Sequence, residues 1–273
     1  MSFIVNPYVY SSPLCADADG NAFLIATGIT NPTIASAICT LVTSMKANGT
    51  WAKCLAIYPF VGGTATTHMY NLKNPANTNA AFRLSFVGGW THSANGATPN
   101  GTNAYADTFL AGNLNPQNSS HLSYYSRSNT AGGAAVFKVE MGLLKLTPSA
   151  ISNAVLLKRD NISVGVINSA TVTTTTTALT NTQGFYLANR ATSSLMTLWK
   201  NGVIVNSSAD ASVAPSTLTN WIGGRNSPDN PAAINYTDRQ CAFATIGSGF
   251  NNTEATNLYS TIQTFQTTLG RQV

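Results

Sequence analysis

Charge is what this 273-residue chain has least of: Asp, Glu, Lys and Arg together make 8%, against about 25% in an ordinary globular protein. Carboxylates are the scarcest, with two glutamates (Glu140 and Glu254) and seven aspartates. General acid–base catalysis, hard-cation binding and ion-pair networks all draw on those groups, so we expect no catalytic residues and no cofactor. No run of residues approaches the apolar length that spans a bilayer, which argues against a membrane partner. The N-terminus lacks a basic start followed by an apolar stretch, so no secretory signal is expected, and the chain is expected to stay where it is made or to leave by assembly or lysis. Cysteine is limited to Cys15, Cys39, Cys54 and Cys241, whose spacing fits no zinc pattern and no CxxC. Buried reduced thiols are the favoured reading, with a disulfide as the alternative. The three histidines, His68, His92 and His121, each stand alone in sequence, so no metal site is expected. A Ser–His–Asp set assembled from distant positions stays open, although no Gly-x-Ser-x-Gly elbow is present.

What replaces charge is neutral polarity. Asn, Ser and Thr fill roughly a third of the chain, far above ordinary usage. Hydrophobic residues are 44%, ample for a core. The net charge of +5 comes from missing acids: seven lysines and seven arginines are scattered without a basic run, so no nucleic-acid partner is expected.

Along the chain, residues 1–16 read as an extended arm, because Pro7 and Pro13 interrupt alternating apolar positions. Asn31-Pro32 caps and opens a helix whose stripe is Ile34, Ile38, Leu41, Val42 and Met45, and Asn48-Gly49 ends it. From about 52 to 250, short β-prone runs alternate with Gly, Asn, Pro and Ser. They are Leu55–Val61, Ala81–Val87, His121–Ser126, Ala134–Met141, Ser163–Ile167, Gly184–Leu187, Met196–Lys200 and Val203–Asn206. Asn201-Gly202 predicts a type I′ hairpin, and Thr173–Thr177 an exposed strand face. A closing helix is capped by Asn252 or Thr253, carries Glu254 in its first turn, and stops at Gly270. Helix, many strands, helix implies a mainly β sandwich: 1–50 as arm plus amphipathic helix, and 51–273 as sandwich with closing helix.

Each motif has a plainer reading beside its chemical one. Asp17-Ala-Asp19-Gly20-Asn21 begins like a calcium loop, but Gly28 stands where the bidentate Glu belongs; an acidic helix start fits better. The glycine pairs after Phe60-Val61, Phe86-Val87 and Ile222 lack the Gly-Lys-Ser/Thr ending of a phosphate loop and read as strand ends. Seven Asn-x-Ser/Thr sequons are what this composition yields by chance. A glycosidase needs two facing carboxylates. Asp107 and Glu140 are the acids inside strand-like motifs, and the same-face neighbours of Glu140 are Lys138 and Gly142.

Two blocks carry a family resemblance. Asn100-Gly-Thr-Asn-Ala-Tyr-Ala-Asp-Thr-Phe-Leu110 resembles the early strand of concanavalin A-like, laminin G-like jelly rolls. Leu198–Val205, Trp221-Ile-Gly-Gly-Arg225, Cys241–Gly247 and Thr253–Tyr259 resemble the hairpin, glycine strand, last strand and closing helix of that fold. The Glu-x-Asp-x-x-Glu strand of related glucanases is absent. Trp51–Thr64, Phe86–Ser93 and Gln263–Arg271 are similar to stretches of virion proteins of tailed bacteriophages. The resemblance implies a structural or appendage protein of a phage particle (head fibre, decoration or tail fibre), assembled in the host cytoplasm. Its partners would be further copies of itself, other virion proteins and a host surface glycan, with residues 1–16 as an anchoring arm. The alternative is a lectin-like carbohydrate-binding module with no virion role. Jelly-roll rims bind sugars through aromatics, amides and Arg, which nominates Trp90, Asn103, Tyr105, Asp107, Trp221, Arg225, Asn226 and Tyr236; the competing reading of each ring is core or turn packing.

Overall fold

The computed structural model describes residues 14–130, 138–157, 162–171 and 177–273. Most of the expected arm, the start of the Ala134–Met141 run and all but the last residue of Thr173–Thr177 lie outside them. Helix α1 (Ala18–Thr27) begins at Asp17, whose carboxylate accepts the Asp19 and Gly20 amides. Lys46 reaches across to both Asp17 and Asp19, so this segment is the capped helix start and its acids are satisfied by a cation of the protein. Helix α2 (Pro32–Ala47) opens as expected, with the Asn31 side chain accepting from Thr33 and Ile34 and proline in the first turn. The short helices α3 (Thr50–Lys53) and α4 (Ala65–His68) follow. Helix α5 (Asn252–Thr268) is capped one residue earlier than expected: Asn251 and Glu254 form a reciprocal capping box.

Strands β1 (Cys54–Tyr58), β2 (Ser85–Val87), β3 (Trp90–Ser93), β4 (Gly96–Pro99), β5 (Tyr105–Ala111) and β6 (Ser120–Ser126) come first. They are followed by β7 (Val139–Lys145), β8 (Ile151–Leu156), β9 (Ile162–Ser169), β10 (Thr177–Ala178) and β11 (Gly184–Thr192). The last are β12 (Leu195–Lys200), β13 (Val203–Ser208), β14 (Thr219–Ile222), β15 (Arg225–Asn226) and β16 (Cys241–Gly247). One sheet runs β13-β12-β11-β6-β16-β4-β3, with β1 also on β16; the other runs β10-β9-β8-β7-β14-β5-β2, with β15 on β7. Among the described residues the named strands pair antiparallel except for β15 on β7, and an isolated parallel bridge joins Val139 to Tyr236. The Asn201-Gly202 turn joins β12 to β13 with φ of 49° and 78°, the doubly left-handed geometry a type I′ turn demands.

Two cores explain the burial pattern. Between the sheets lie Tyr58, Leu110, Leu122, Tyr124, Met141, Val166, Tyr186, Ile222 and Ile246. On the other face of the first sheet, Phe23, Ile38, Leu41 and Met45 join Leu258, Ile262 and Phe265 of α5 over Tyr125, Phe185, Trp199 and Phe243. Each such side chain contributes about 1.5–3 kcal/mol by leaving water. Strands β6 and β16 are therefore buried at every residue, because helices cover one face and the second sheet the other. In β5 and β14 burial alternates instead, so the second sheet keeps an open outer face there. A mainly β, jelly-roll-like sandwich with an N-terminal helical layer and a C-terminal helix is the observed architecture.

Cys15 and Cys39 are paired, with Cα atoms 5.4 Å apart, which corrects the reading of four reduced thiols. Cys54 and Cys241 are free and buried, and burial pushes the Cys54 thiol up to about 12.

Scarce carboxylates leave buried arginines to find other acceptors. Among the described residues, Arg239 alone of the fully buried arginines has an acid: Nη1 lies 2.6 Å from Glu140 Oε1 with both side chains sealed from solvent. Glu140 Oε2 accepts the Leu157 amide at 2.8 Å, and Thr237 donates to Oε1 at 3.1 Å. Arg190 instead donates to the carbonyls of Ile167, Ser193 and Asp210 at 2.7–3.0 Å. Arg271 donates to Pro59, Phe60, Ala94 and Ala242 carbonyls and to Gln266 Oε1. Main-chain dipoles take the place of missing acids.

Candidate functional site

Strand β5 points Ala106 and Leu110 into the inter-sheet core, so Tyr105 and Asp107 face outward. Trp221 of β14 is in register with Asp107, and its partner on the far side is Gly142, which carries no side chain. Tyr105 lies diagonally across and stacks on Trp221, with centroids 3.7 Å apart and planes 14° from parallel. Ser85 and Val87 of β2 continue the two rows beyond Asp107 and Tyr105. Tyr236 flanks the glycine turn after β14, where a methyl group on Gly224 would come within 3.3 Å of its ring. Burial first, and then Tyr105, push the Tyr236 hydroxyl above its ordinary value. Four of the eight nominated residues thus share one open face: Tyr105, Asp107, Trp221 and Tyr236.

The other four are placed in the frame around it. Trp90 packs against the inter-sheet core and donates its indole N–H to the Val87 and Tyr105 carbonyls at 3.1 and 3.2 Å. Gly223 has φ of 93° and sits under it; an added Cβ would lie 2.9 Å from the indole. Asn103 accepts from the Asn100 side chain at 2.7 Å in the loop before β5. Arg225 is buried and donates to the Ala233 carbonyl, and Asn226 donates to Thr219.

Asp107 Oδ1 accepts the Phe109 amide at 2.8 Å, which fixes its rotamer, and Oδ2 has no partner among the described residues. The Trp221 indole nitrogen is buried and unpartnered among them. Glu140, the other strand acid singled out in the sequence, is spent on Arg239 between the sheets.

Sequence spacing missed one pair. His68 and His92 are not solitary: their Nδ1 atoms are 2.9 Å apart, one donating and the other accepting. Phe60 and Phe86 pack edge-on against them. The two residues are brought together by α4 and β3, which no helical or strand spacing connects. Burial, followed by His92 and Arg271, holds His68 down to about 3. Burial also holds His121 down to about 4, although the Ser248 carbonyl opposes it. No cluster of three or more potential metal ligands occurs among the described residues. A separate cavity of about 610 Å³ opens near Gln117, Ile151, Ser212 and Val213, away from the nominated residues.

No family model and no curated protein matches the chain. Solved structures do. A mutant of Trypanosoma rangeli sialidase displaying trans-sialidase activity superposes with a TM-score of 0.56 at 11% identity, over 82% of this chain and 39% of that one. The same sialidase in complex with 2,3-difluorosialic acid gives 0.55 at 10% identity, over 82% and 38%. The binding domain of botulinum neurotoxin serotype G gives 0.44 at 11% identity, over 76% and 50%. The chain thus spans 39% of the first of these sialidase chains. At such identities the likeness is one of fold: a jelly-roll-like β-sandwich.

Proposed function

We propose that the protein is a glycan-binding β-sandwich serving as a structural or appendage component of a bacteriophage particle. The observation that carries the first half is the Tyr105–Trp221 stack on an uncovered sheet face, bordered by Asp107 and Tyr236. Sugar rings pack their C–H faces on aromatic surface, and their hydroxyls pair with carboxylate, amide and phenol groups at its rim. The sialidase fold likeness is compatible with this reading. The second half rests on the resemblance of Trp51–Thr64, Phe86–Ser93 and Gln263–Arg271 to phage virion proteins. The partners are then further copies of the chain, other virion proteins and a host surface glycan.

Binding without turnover is the reading we favour. The ion pair with Arg239 withdraws Glu140 from serving as the second carboxylate that glycoside hydrolysis would need beside Asp107. A glycan array probed with the wild type, Trp221→Ala and Tyr105→Ala tests the binding. Each substitution is expected to weaken the hits by about tenfold or more, a loss of about 1.4 kcal/mol. Val203→Thr, on the edge of the opposite sheet, is expected to change nothing. An array without hits, or hits indifferent to both aromatic substitutions, removes the proposed site. Mass spectrometry of gradient-purified phage particles tests the virion half separately, and absence of the chain from them defeats it.

A further inference from the structure

We infer that this face takes neutral saccharides and discriminates against carboxylated ones. The inference rests on the glycan-binding reading above and assigns its ligand class. Its basis is the charge inventory around the stack. Asp107 is in register with Trp221 on the same outward face, and Oδ2, which is not buried, has no protein partner among the described residues. A carboxylate there accepts a sugar O–H as a charge-assisted bond, whereas a ligand carboxylate would face it as a like charge.

Two of the cations around the face, Arg225 and Lys138, are turned to other groups. Arg225 is buried and bonded to the Ala233 carbonyl. Lys138, beside the Val139 that bridges to Tyr236, is paired with Asp238. Arg83, two residues before the Ser85 that pairs with Asp107, is tethered through Nε to Asn79 but keeps its charge. The remaining groups on the face, the Tyr105 and Tyr236 hydroxyls and Ser85, are neutral. Two unit charges about 4 Å apart in water repel by about 1 kcal/mol, a factor of about five in affinity, and by more where water is excluded.

The experiment compares three forms of one glycan: galactose-terminated, the same chain capped with sialic acid, and the capped chain as its methyl ester. The ester keeps the shape of the cap and removes its charge. The expected result is binding of the neutral and ester forms, with the free acid at least about fivefold weaker. That deficit is expected to shrink as salt rises towards about 1 M, where screening acts within a few ångströms. Asp107→Asn keeps the oxygen that accepts the Phe109 amide, and is expected to bring the acid to within about twofold of its ester. Equal binding of acid and ester by the wild type overturns the ligand class while leaving the glycan-binding reading in place. Rejection of ester and acid alike, with the galactose form bound, assigns the discrimination to shape and also overturns it. Binding of none of the three, with no hit elsewhere on the array, defeats both.

Discussion

Replacing Glu140 by Gln preserves side-chain volume and one carbonyl acceptor but strips Arg239 of its counter-ion. In the native fold Glu140 makes three close contacts, to Arg239 at 2.6 Å, the Leu157 amide at 2.8 Å and Thr237 at 3.1 Å. Arg239 also donates to the Leu157 and Thr130 carbonyls, so the guanidinium cannot withdraw without opening those bonds. An uncompensated charge sealed between two sheets costs about 3–5 kcal/mol. At about 2–4 °C per kcal/mol for a chain of this size, the expected loss in Tm is roughly 6–20 °C. Urea denaturation followed by circular dichroism measures the free energy, and a constant m value confirms that the folded state is otherwise intact. The pair Glu140→Leu with Arg239→Met removes both charges and is expected to recover much of the loss, with a coupling energy of about 2 kcal/mol. A Glu140→Gln variant that loses less than about 1 kcal/mol would refute the reasoning, as would single effects that add to the double-variant value within about 0.5 kcal/mol.

Acid tests the buried imidazoles. His121 and His68 have folded values of about 4 and about 3, below the ordinary 6.5, so the unfolded chain binds more protons as pH falls. Stability is therefore full above about pH 6.5 and drops below it, by up to about 1.4 kcal/mol per pH unit for each ring; His121→Gln should flatten the slope in urea titrations at stepped pH. Gly202→Ala meets both a φ of 78° and a Tyr259 carbon 2.6 Å from the new Cβ, so a loss of about 1–3 kcal/mol is expected by the same denaturation assay. Arg271→Met strips the carbonyls of Pro59 and Phe60 of their guanidinium donor and should cost at least about 2 kcal/mol. If residues 1–16 anchor the protein to a particle, deleting them should abolish incorporation, read by immunoblot of purified particles, while the circular dichroism spectrum is kept.

Where the sequence was legible, a local rule acted without competition. Asn31-Pro32, the Asn201-Gly202 turn and the cap of α5 follow from capping and left-handed backbone, and each is realised within a residue of its expected position. Strands buried on both faces, such as β16, read as unbroken apolar runs, and only the family resemblance marked it as a strand. Strand β8 carries no alternating pattern either, because Ser152 and Asn153 are buried along with Ala154, Val155 and Leu156. The site divides along the same line. Tyr105 and Asp107 lie two apart on one strand, so their shared face is a local property. Their meeting with Trp221 depends on β14 inserting between β5 and β7, a long-range pairing. The contact between His68 and His92 is likewise tertiary, made by a one-turn helix against a strand. The aromatic character of Trp90 was visible, but its role as a prop under the sheet edge depends on the Val87 and Tyr105 carbonyls it meets only in the fold.

The carbonyl-held arginines have a consequence for how this surface can vary. A guanidinium bonded to a carboxylate constrains two side chains, and changing either breaks the bond. Arg190 and Arg271 grip main-chain oxygens at residues 167, 193, 210, 59, 60, 94 and 242. A main-chain oxygen is present whatever side chain the residue bears. Of these positions Ala94 and Ser193 are exposed and Asp210 is half-buried, so the loops there can exchange their side chains while their paths stay pinned. Those stretches of surface can drift in sequence over a scaffold whose anchors do not depend on their side chains.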